Sequence, residues 1–272
     1  MSTFYHENQS YKLTQIDLQK LSDSWITPEL ADQAGLFRVD TQEGAALVGR
    51  NSSGDYSGIA FPYYWPGETR PREYRLRLDN PDYEYRADGT RKEKNKYLSP
   101  PGGSNKLYIP PGTDPKYLTD PSLPILITEG EKKALALYRL GIESGRRWLV
   151  IGLSGVWNWK GIVGKEVGPN GERRDVKGPI ADLDRVEWRR EDVRIIFDAN
   201  VHTNASVKVA RRELARELLC LLRPWRAFPP FDLAPRKRGF FRLLLGEVGI
   251  SSCPPDRPPR RDWTQIGLGL GT

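Results

Sequence analysis

Two short apolar segments, each ending at an acidic residue, constrain the fold of this 272-residue chain more than any other feature. Residues 125–128 (Ile-Leu-Ile-Thr) lead into Glu129 and Gly130, and residues 193–197 (Val-Arg-Ile-Ile-Phe) lead into Asp198. Short apolar runs rich in β-branched residues are typical of strands that are buried on both faces of a parallel sheet. Residues 149–153 have the same character and predict a third such strand.

Helical patterns separate these strands. Residues 131–140 place Ala134, Leu137 and Tyr138 on one face, and Gly141 is the expected end of that helix. The polar, glycine-rich residues 160–177 predict a loop or hairpin. Alternating strands and helices predict an α/β fold in which helices cover both faces of a parallel sheet. A long helix from about residue 206 carries an apolar stripe of Val207, Ala210, Leu214, Leu218 and Leu221.

The chain before this part predicts a smaller α+β unit. Residues 11–37 read as two short helices, with Thr27 as an N-cap and Pro28 in the first helical position. Residues 73–78 alternate between apolar and basic side chains, which is the pattern of a strand. The predicted organisation is a disordered N-terminus (1–12), the α+β unit (13–112), a linker (113–123), the α/β domain (124–219) and a Pro/Arg-rich tail (220–272).

The tail has two interpretations that the sequence leaves open. Residues 220–272 are rich in proline and arginine and show no clear period. They can form a disordered basic segment that contacts nucleic acid. Alternatively, the reading frame shifts near residue 220, because the helix pattern stops where another strand would be expected.

The acids that end the strands are the candidate chemical groups. Parallel strands gather reactive side chains at their carboxyl edge, so Glu129 and Asp198 are expected to meet there. Asn200, two residues after Asp198, can add an amide oxygen. Carboxylate and carbonyl oxygens with water suit Mg²⁺, or Mn²⁺ in its place. The alternative is that these side chains only cap helices or shape a turn.

Basic residues supply candidate contacts to nucleic acid. The chain has a formal net charge of +7, which favours polyanionic partners only weakly. The alternative is an ordinary solvated surface. The candidates for phosphate contacts are Arg75, Arg77, Lys96, Lys106, Lys132 and Lys133.

Composition excludes several other classes of protein. No apolar run approaches the roughly 18 residues of a membrane span, and the N-terminus has no secretory pattern, so a cytoplasmic location is expected. Two cysteines and two histidines cannot form a Cys₄ or Cys₂His₂ zinc site within one motif. No phosphate-binding loop of a helicase motor is present.

The same residues resemble a known family. Residues 127–136 (ITEGEKKALA) look like the first motif of the Toprim domain, and residues 195–200 (IIFDAN) look like the second. Residues 152–159 (GLSGVWNW), 58–63 (GIAFPY) and 96–100 (KYLSP) are similar to an uncharacterised Toprim-like branch, domain of unknown function 3854. That branch is often encoded with phage or plasmid replication proteins.

The resemblance implies a fold and an activity. It implies a Toprim-like (Rossmann-like) sheet, with Glu129 as general acid or base and with Glu129, Asp198 and Asn200 at a magnesium ion. Asn200 departs from the family, which usually has an aspartate there. The implied activity is primase-type nucleotidyl transfer on single-stranded DNA or RNA, beside a replicative helicase. Nuclease-type cleavage of phosphodiesters and a non-catalytic, nucleic-acid-binding accessory role are the alternatives.

Overall fold

The computed structural model describes residues 12–50, 54–86, 88–190, 192–198 and 203–222. The predicted disordered N-terminus, apart from its last residue, lies outside this part of the chain. The tail beyond residue 222 also lies outside it, so both interpretations of the tail stay open. Asn200, the third predicted metal ligand, is likewise not among the described residues.

The first half of the chain alternates short helices and strands. Its helices are α1 (Gln15–Ser22), α2 (Pro28–Gln33) and α3 (Thr41–Leu47). Its strands are β1 (Phe37–Val39), β2 (Gly58–Tyr63), β3 (Glu73–Leu78), β4 (Asp82–Tyr85), β5 (Arg91–Lys94), β6 (Tyr97–Leu98) and β7 (Leu107–Tyr108). The predicted α2 cap is confirmed, because the Thr27 side chain accepts a hydrogen bond from the Leu30 amide at 3.3 Å.

The second half contains the predicted strand–helix alternation. Its strands are β8 (Ile125–Glu129), β9 (Leu149–Leu153), β10 (Lys160–Val167), β11 (Arg173–Pro179) and β12 (Val193–Ile196). Its α-helices are α4 (Glu131–Ser144) and α5 (Ala205–Leu222), and 3₁₀ helices cover Pro115–Leu118 and Ala181–Arg185. The polar segment after β9 was predicted to be a loop or a hairpin, and it forms the antiparallel hairpin β10–β11.

The sheet that carries the predicted acids is mixed. Its strand order is β12-β8-β9-β7. Strands β12, β8 and β9 are parallel, whereas β7 pairs with β9 in the antiparallel direction. The prediction of a wholly parallel sheet is therefore corrected. The cause lies in the preceding segment, where two residues, Leu107 and Tyr108, pair with the end of β9 and protect that edge.

Helices cover both faces of this sheet. Alternate strand residues such as Ile127 and Ile151 pack in one apolar cluster with α5, whose predicted stripe is buried. Val150 packs in a second cluster with Ala134 and Leu135 of α4. Because neighbouring strand residues point to opposite faces, the two clusters lie on opposite sides of the sheet.

The first half of the chain forms its own sheet, which shares a core with α4. The strand order is β1-β2-β3-β6, with antiparallel pairing throughout. Leu76 and Leu78 on one face pack in a cluster with residues of α3. Phe61 on the other face packs with α1, α2 and Ala134 of α4. The two sheets are thus joined through the helix that follows Glu129.

The predicted linker residues are packed against the second half of the chain. Leu118 is buried in the cluster on the α5 side of the sheet, and Leu123 is also buried. Arg190 is 4% exposed, and its guanidinium donates hydrogen bonds to the carbonyl oxygens of Tyr117, Leu118, Asp120 and Leu123. The division of the chain into domains stays a prediction. Within the described residues, no helix combines the length and the apolar character that a membrane crossing requires.

Candidate metal and nucleic-acid site

Glu129 lies where strand β8 turns into helix α4. The next residue, Gly130, has φ of +83°, and its amide donates a hydrogen bond to the Leu153 carbonyl at 2.6 Å. A left-handed backbone of this kind favours glycine. On β9, a Cβ atom at Gly152 would lie 3.1 Å from the Ala134 Cβ and 3.2 Å from the Gly130 oxygen. Two glycines therefore let α4 begin close to the sheet and fix Glu129 at its edge.

Asp198 leaves the sheet at the same edge. Strand β12 pairs in parallel with β8, and Ile196 lies opposite Thr128, so both chains exit in the same direction. Lys133, in the first turns of α4, places Nζ 2.6 Å from Oδ1 of Asp198. Their side chains are 42% and 46% exposed, so this ion pair is accessible to solvent.

Burial and charge act together on Glu129. Burial raises its pKa above the ordinary value, and the negative charge of Asp198 raises it further. The ammonium group of Lys133 opposes both effects. Asp198 therefore lies close enough for its charge to act on Glu129, and Lys133 pairs with Asp198 while opposing that effect. The sequence-based assignment of these two acids to a shared site stays a prediction.

Glu129 and Asp198 carry carboxylate oxygens, the type of ligand that a hard divalent cation takes. Two carboxylates that repel each other are oxygen ligands of the type that Mg²⁺ prefers, and a cation would relieve their repulsion. Among the residues that the structure describes, no group of three or more His, Cys, Asp or Glu side chains could hold a metal. The protein would accordingly supply few ligands, with water completing the coordination, which is usual for magnesium.

A buried network that the sequence did not predict supports the start of α4. Glu131 is 1% exposed, and its Oε1 accepts hydrogen bonds from the Tyr63 hydroxyl at 2.5 Å and from Arg75 Nη1 at 2.6 Å. The hydroxyl of Tyr108, from β7, is buried nearby without a hydrogen-bond partner, and the charge of Glu131 helps to raise its pKa after burial. The sequence signal that could have identified Glu131 is its position as an acidic residue in the first turn of a helix.

Four of the six predicted phosphate contacts lie in ion pairs, and those of Arg75 and Lys106 are the least exposed to solvent. Arg75 has a side chain that is 13% exposed, pairs with Glu131 and stacks on the Tyr97 ring at 4.8 Å. Lys106 places Nζ 2.6 Å from Oε2 of Glu73. The alternation of β3 placed Arg75 and Arg77 on one face as predicted, but α4 covers that face. The guanidinium of Arg75 therefore contacts Glu131 and Tyr97 within the protein.

Three other predicted basic residues converge beside α4. The pKa of Lys132 is lowered to about 8 by burial and then by the positive charges of Arg77 and Lys96. Lys132 Nζ also donates to the backbone oxygen of Lys20 at 3.1 Å, and the charge of Lys20 adds to the cluster. We call Lys20, Arg77, Lys96 and Lys132 the basic cluster. Lys133, the sixth candidate, belongs instead to the acidic edge.

Part of the second half of the chain is similar to a known family. Residues 115–221 match the family described as "Domain of unknown function (DUF3854)". The matched residues run from the first 3₁₀ helix to α5 and include Glu129 and Asp198. No curated protein and no solved structure matches the chain.

Proposed function

We propose that this chain, whose residues 115–221 match the DUF3854 family, is a Toprim-like, metal-dependent enzyme that joins nucleotides on a single-stranded template. The observation that carries this proposal is that the chain leaves the sheet at one edge at both Glu129 and Asp198, where the charge of Asp198 helps to raise the pKa of Glu129. We place the reaction in the cytoplasm, in replication of a phage or plasmid, with a replicative helicase as partner. The Toprim resemblance of the two motifs supports this choice of chemistry.

Glu129 and Asp198 would hold the metal, together with Asn200. A bound Mg²⁺ or Mn²⁺ neutralises negative charge on phosphate oxygens and orients them for in-line displacement. Glu129 is partly buried and has a raised pKa, so its carboxylate is a better proton acceptor than an exposed one. In nucleotidyl transfer it would take the proton of the attacking hydroxyl, whose oxygen would bond to the α-phosphorus of the incoming nucleotide while pyrophosphate leaves.

Lys133 and the basic cluster would position the nucleic acid. Lys133 is within reach of Asp198 and is accessible to solvent, so its ammonium can bind a phosphate oxygen beside the reacting group. Lys132, the next residue on the same helix, connects this edge to Arg77 and Lys96. A backbone that follows these cations would place one of its phosphates near Glu129.

A non-catalytic accessory role is the second candidate. Lys133 already neutralises Asp198 at 2.6 Å, so the carboxylate has a partner without a metal. Asn200 carries no charge, and a cation would therefore be held less strongly than by an aspartate at that position. In this alternative the edge of the sheet binds phosphate through Lys133 and performs no reaction.

A template-dependent synthesis assay separates the two candidates. The full chain would be incubated with a labelled single-stranded template, nucleotides and Mg²⁺ or Mn²⁺. Catalysis predicts a product that is lost in Glu129→Gln and Asp198→Asn, while template binding is retained. Asp175→Asn is the matched control, because Asp175 lies on the exposed β11 strand. Product that persists in both edge variants would overturn the proposal, and salt-sensitive binding without product would favour the accessory role.

A further inference from the structure

The hairpin formed by β4 and β5 is exposed along its whole length. It forms a two-stranded sheet of its own, separate from the two larger sheets. Tyr83 pairs with Glu93 and Tyr85 pairs with Arg91, so these four side chains share one face. Asp82, Glu84, Lys92 and Lys94 alternate with them and share the other face. The hairpin therefore presents an aromatic face and a face of mixed charge.

Both tyrosine side chains of the hairpin are exposed to solvent. Tyr85 is 75% exposed and Tyr83 is 43% exposed. The guanidinium of Arg91 lies 4.6 Å from the centroid of the Tyr83 ring. Residues two apart on a strand are separated by about 6.8 Å, which equals about two base steps of a stacked strand at about 3.4 Å each. The face thus offers flat groups at a spacing that suits stacked bases.

The aromatic face continues into the basic cluster. Glu93, on the same face as the tyrosines, is 2.5 Å from Lys96 Nζ. Lys96 and Arg77 together act on Lys132, which precedes Lys133 in α4. The aromatic face of the hairpin is therefore followed by the basic cluster, and the basic cluster by the edge that carries Glu129 and Asp198. A positively charged path with aromatic side chains is the arrangement that binds single strands, because every base has a flat face.

We infer that the Tyr83–Tyr85–Arg91 face stacks unpaired bases of a single-stranded nucleic acid, whose phosphates follow Lys96, Arg77 and Lys132. The direction of the strand toward Glu129 rests on the proposed function, whereas the stacking on the hairpin does not. Duplex bases are already stacked on one another and leave no face free for the tyrosines. The hairpin accordingly selects single strands over duplexes.

Binding of a labelled oligothymidine and of a duplex of the same length to the full chain tests this inference by fluorescence anisotropy. Tyr83→Ala with Tyr85→Ala is expected to weaken single-strand binding by about tenfold or more, from about 1–3 kcal/mol for each stacked base. Duplex binding should change less than twofold. Tyr83→Phe with Tyr85→Phe keeps both rings and should bind as the unchanged protein does. Val167→Ala, on the exposed β10 strand, is a control for loss of a surface side chain.

The outcomes of this test are separable from those of the synthesis assay. Single-strand binding that is unaffected by the double alanine variant, or lost equally for single strand and duplex, would overturn the inference. Failure of the phenylalanine variant to restore binding would also overturn it. A chain that makes no product, yet shows the tyrosine effect, would refute the proposed reaction and leave the stacking face intact.

Discussion

Nη1 of Arg75 on β3 lies 2.6 Å from Oε1 of Glu131, the first residue of α4, and both side chains are withdrawn from solvent. The pair joins the sheet of the first half of the chain to the helix that starts beside Glu129. Lys132 and Lys133 follow Glu131 on that helix. The position of the acidic edge therefore depends on a contact with the first half of the chain.

Arg75→Met should destabilise the protein strongly. It leaves the carboxylate of Glu131 buried without its cation, and loss of one partner from a buried pair costs about 3–5 kcal/mol. Arg194→Met is the matched control, since Arg194 pairs with Asp192 at 2.6 Å while 46% exposed, and such pairs contribute about 0–1 kcal/mol. Urea unfolding measures both changes. Equal losses of unfolding free energy in the two variants would show that the Arg75–Glu131 pair stabilises the protein no more than an exposed ion pair does.

Single-strand binding should weaken as the pH rises through about 8. Burial and the neighbouring charges of Arg77 and Lys96 lower the pKa of Lys132 to about 8. Its ammonium therefore loses a proton between pH 7 and 9, whereas an ordinary lysine stays charged there. A bound phosphate favours the charged form, so binding takes up a proton in this range.

Anisotropy titrations at pH 7, 8 and 9 measure that dependence. Lys132→Met should bind the single strand more weakly at pH 7 and should lose most of the pH dependence of binding. Lys116→Met, in the 3₁₀ helix Pro115–Leu118, is the control and should keep that pH dependence. The slope of log affinity against log salt should fall by about 0.7 in Lys132→Met, as expected for one phosphate contact to a single strand. An unchanged pH profile in Lys132→Met would contradict the assignment.

Lys133→Met should tighten metal binding and weaken nucleic-acid binding. The ammonium competes with a cation for Asp198 and also stabilises ionised Glu129. Because both members of the Lys133–Asp198 pair are more than one-third exposed, we expect the competition to be worth about 1 kcal/mol, or about fivefold. Calorimetric titration with Mn²⁺ measures the first effect and anisotropy the second. Weaker Mn²⁺ binding in the variant would be the opposite of the expected result.

Gly152→Ala should destabilise the protein by crowding the start of α4. The new Cβ would lie 3.1 Å from Ala134 Cβ and 3.2 Å from the Gly130 oxygen, and overpacking of this kind costs about 1–3 kcal/mol. Gly164→Ala is the control, because nothing lies within 4 Å of its added Cβ. Thermal unfolding compares the two variants. A change below about 0.5 kcal/mol in both would show that the close approach is relaxed without cost.

The sequence was most informative about local pattern. The apolar runs predicted β8, β9 and β12, and the stripe from Val207 to Leu221 predicted the buried face of α5. These features succeed because burial on one or both faces imposes a period that a single segment reveals. Strand β7 was missed, since two residues are too few to show any period, and with it the antiparallel edge of the sheet.

Tertiary contacts explain the remaining differences. Alternation correctly placed Arg75 and Arg77 on one face of β3, but it does not reveal that α4 covers this face and pairs Arg75 with Glu131. Glu129 and Asp198 were placed at one edge because both end parallel strands. Glu131, by contrast, carried only the weak signal of an acid in a first helical turn, and its partners come from strands more than fifty residues away.

The central claim is that Glu129 and Asp198 share one divalent ion, and a double-mutant cycle on Mn²⁺ affinity tests it most directly. Calorimetric titrations would compare the unchanged chain, Glu129→Gln, Asp198→Asn and the double variant, with Asp175→Asn as control. The account predicts about tenfold or greater loss in each single variant and little further loss in the double variant, because both remove the same site. Single variants that bind Mn²⁺ as the unchanged chain does, or losses that simply add, would contradict a shared ion.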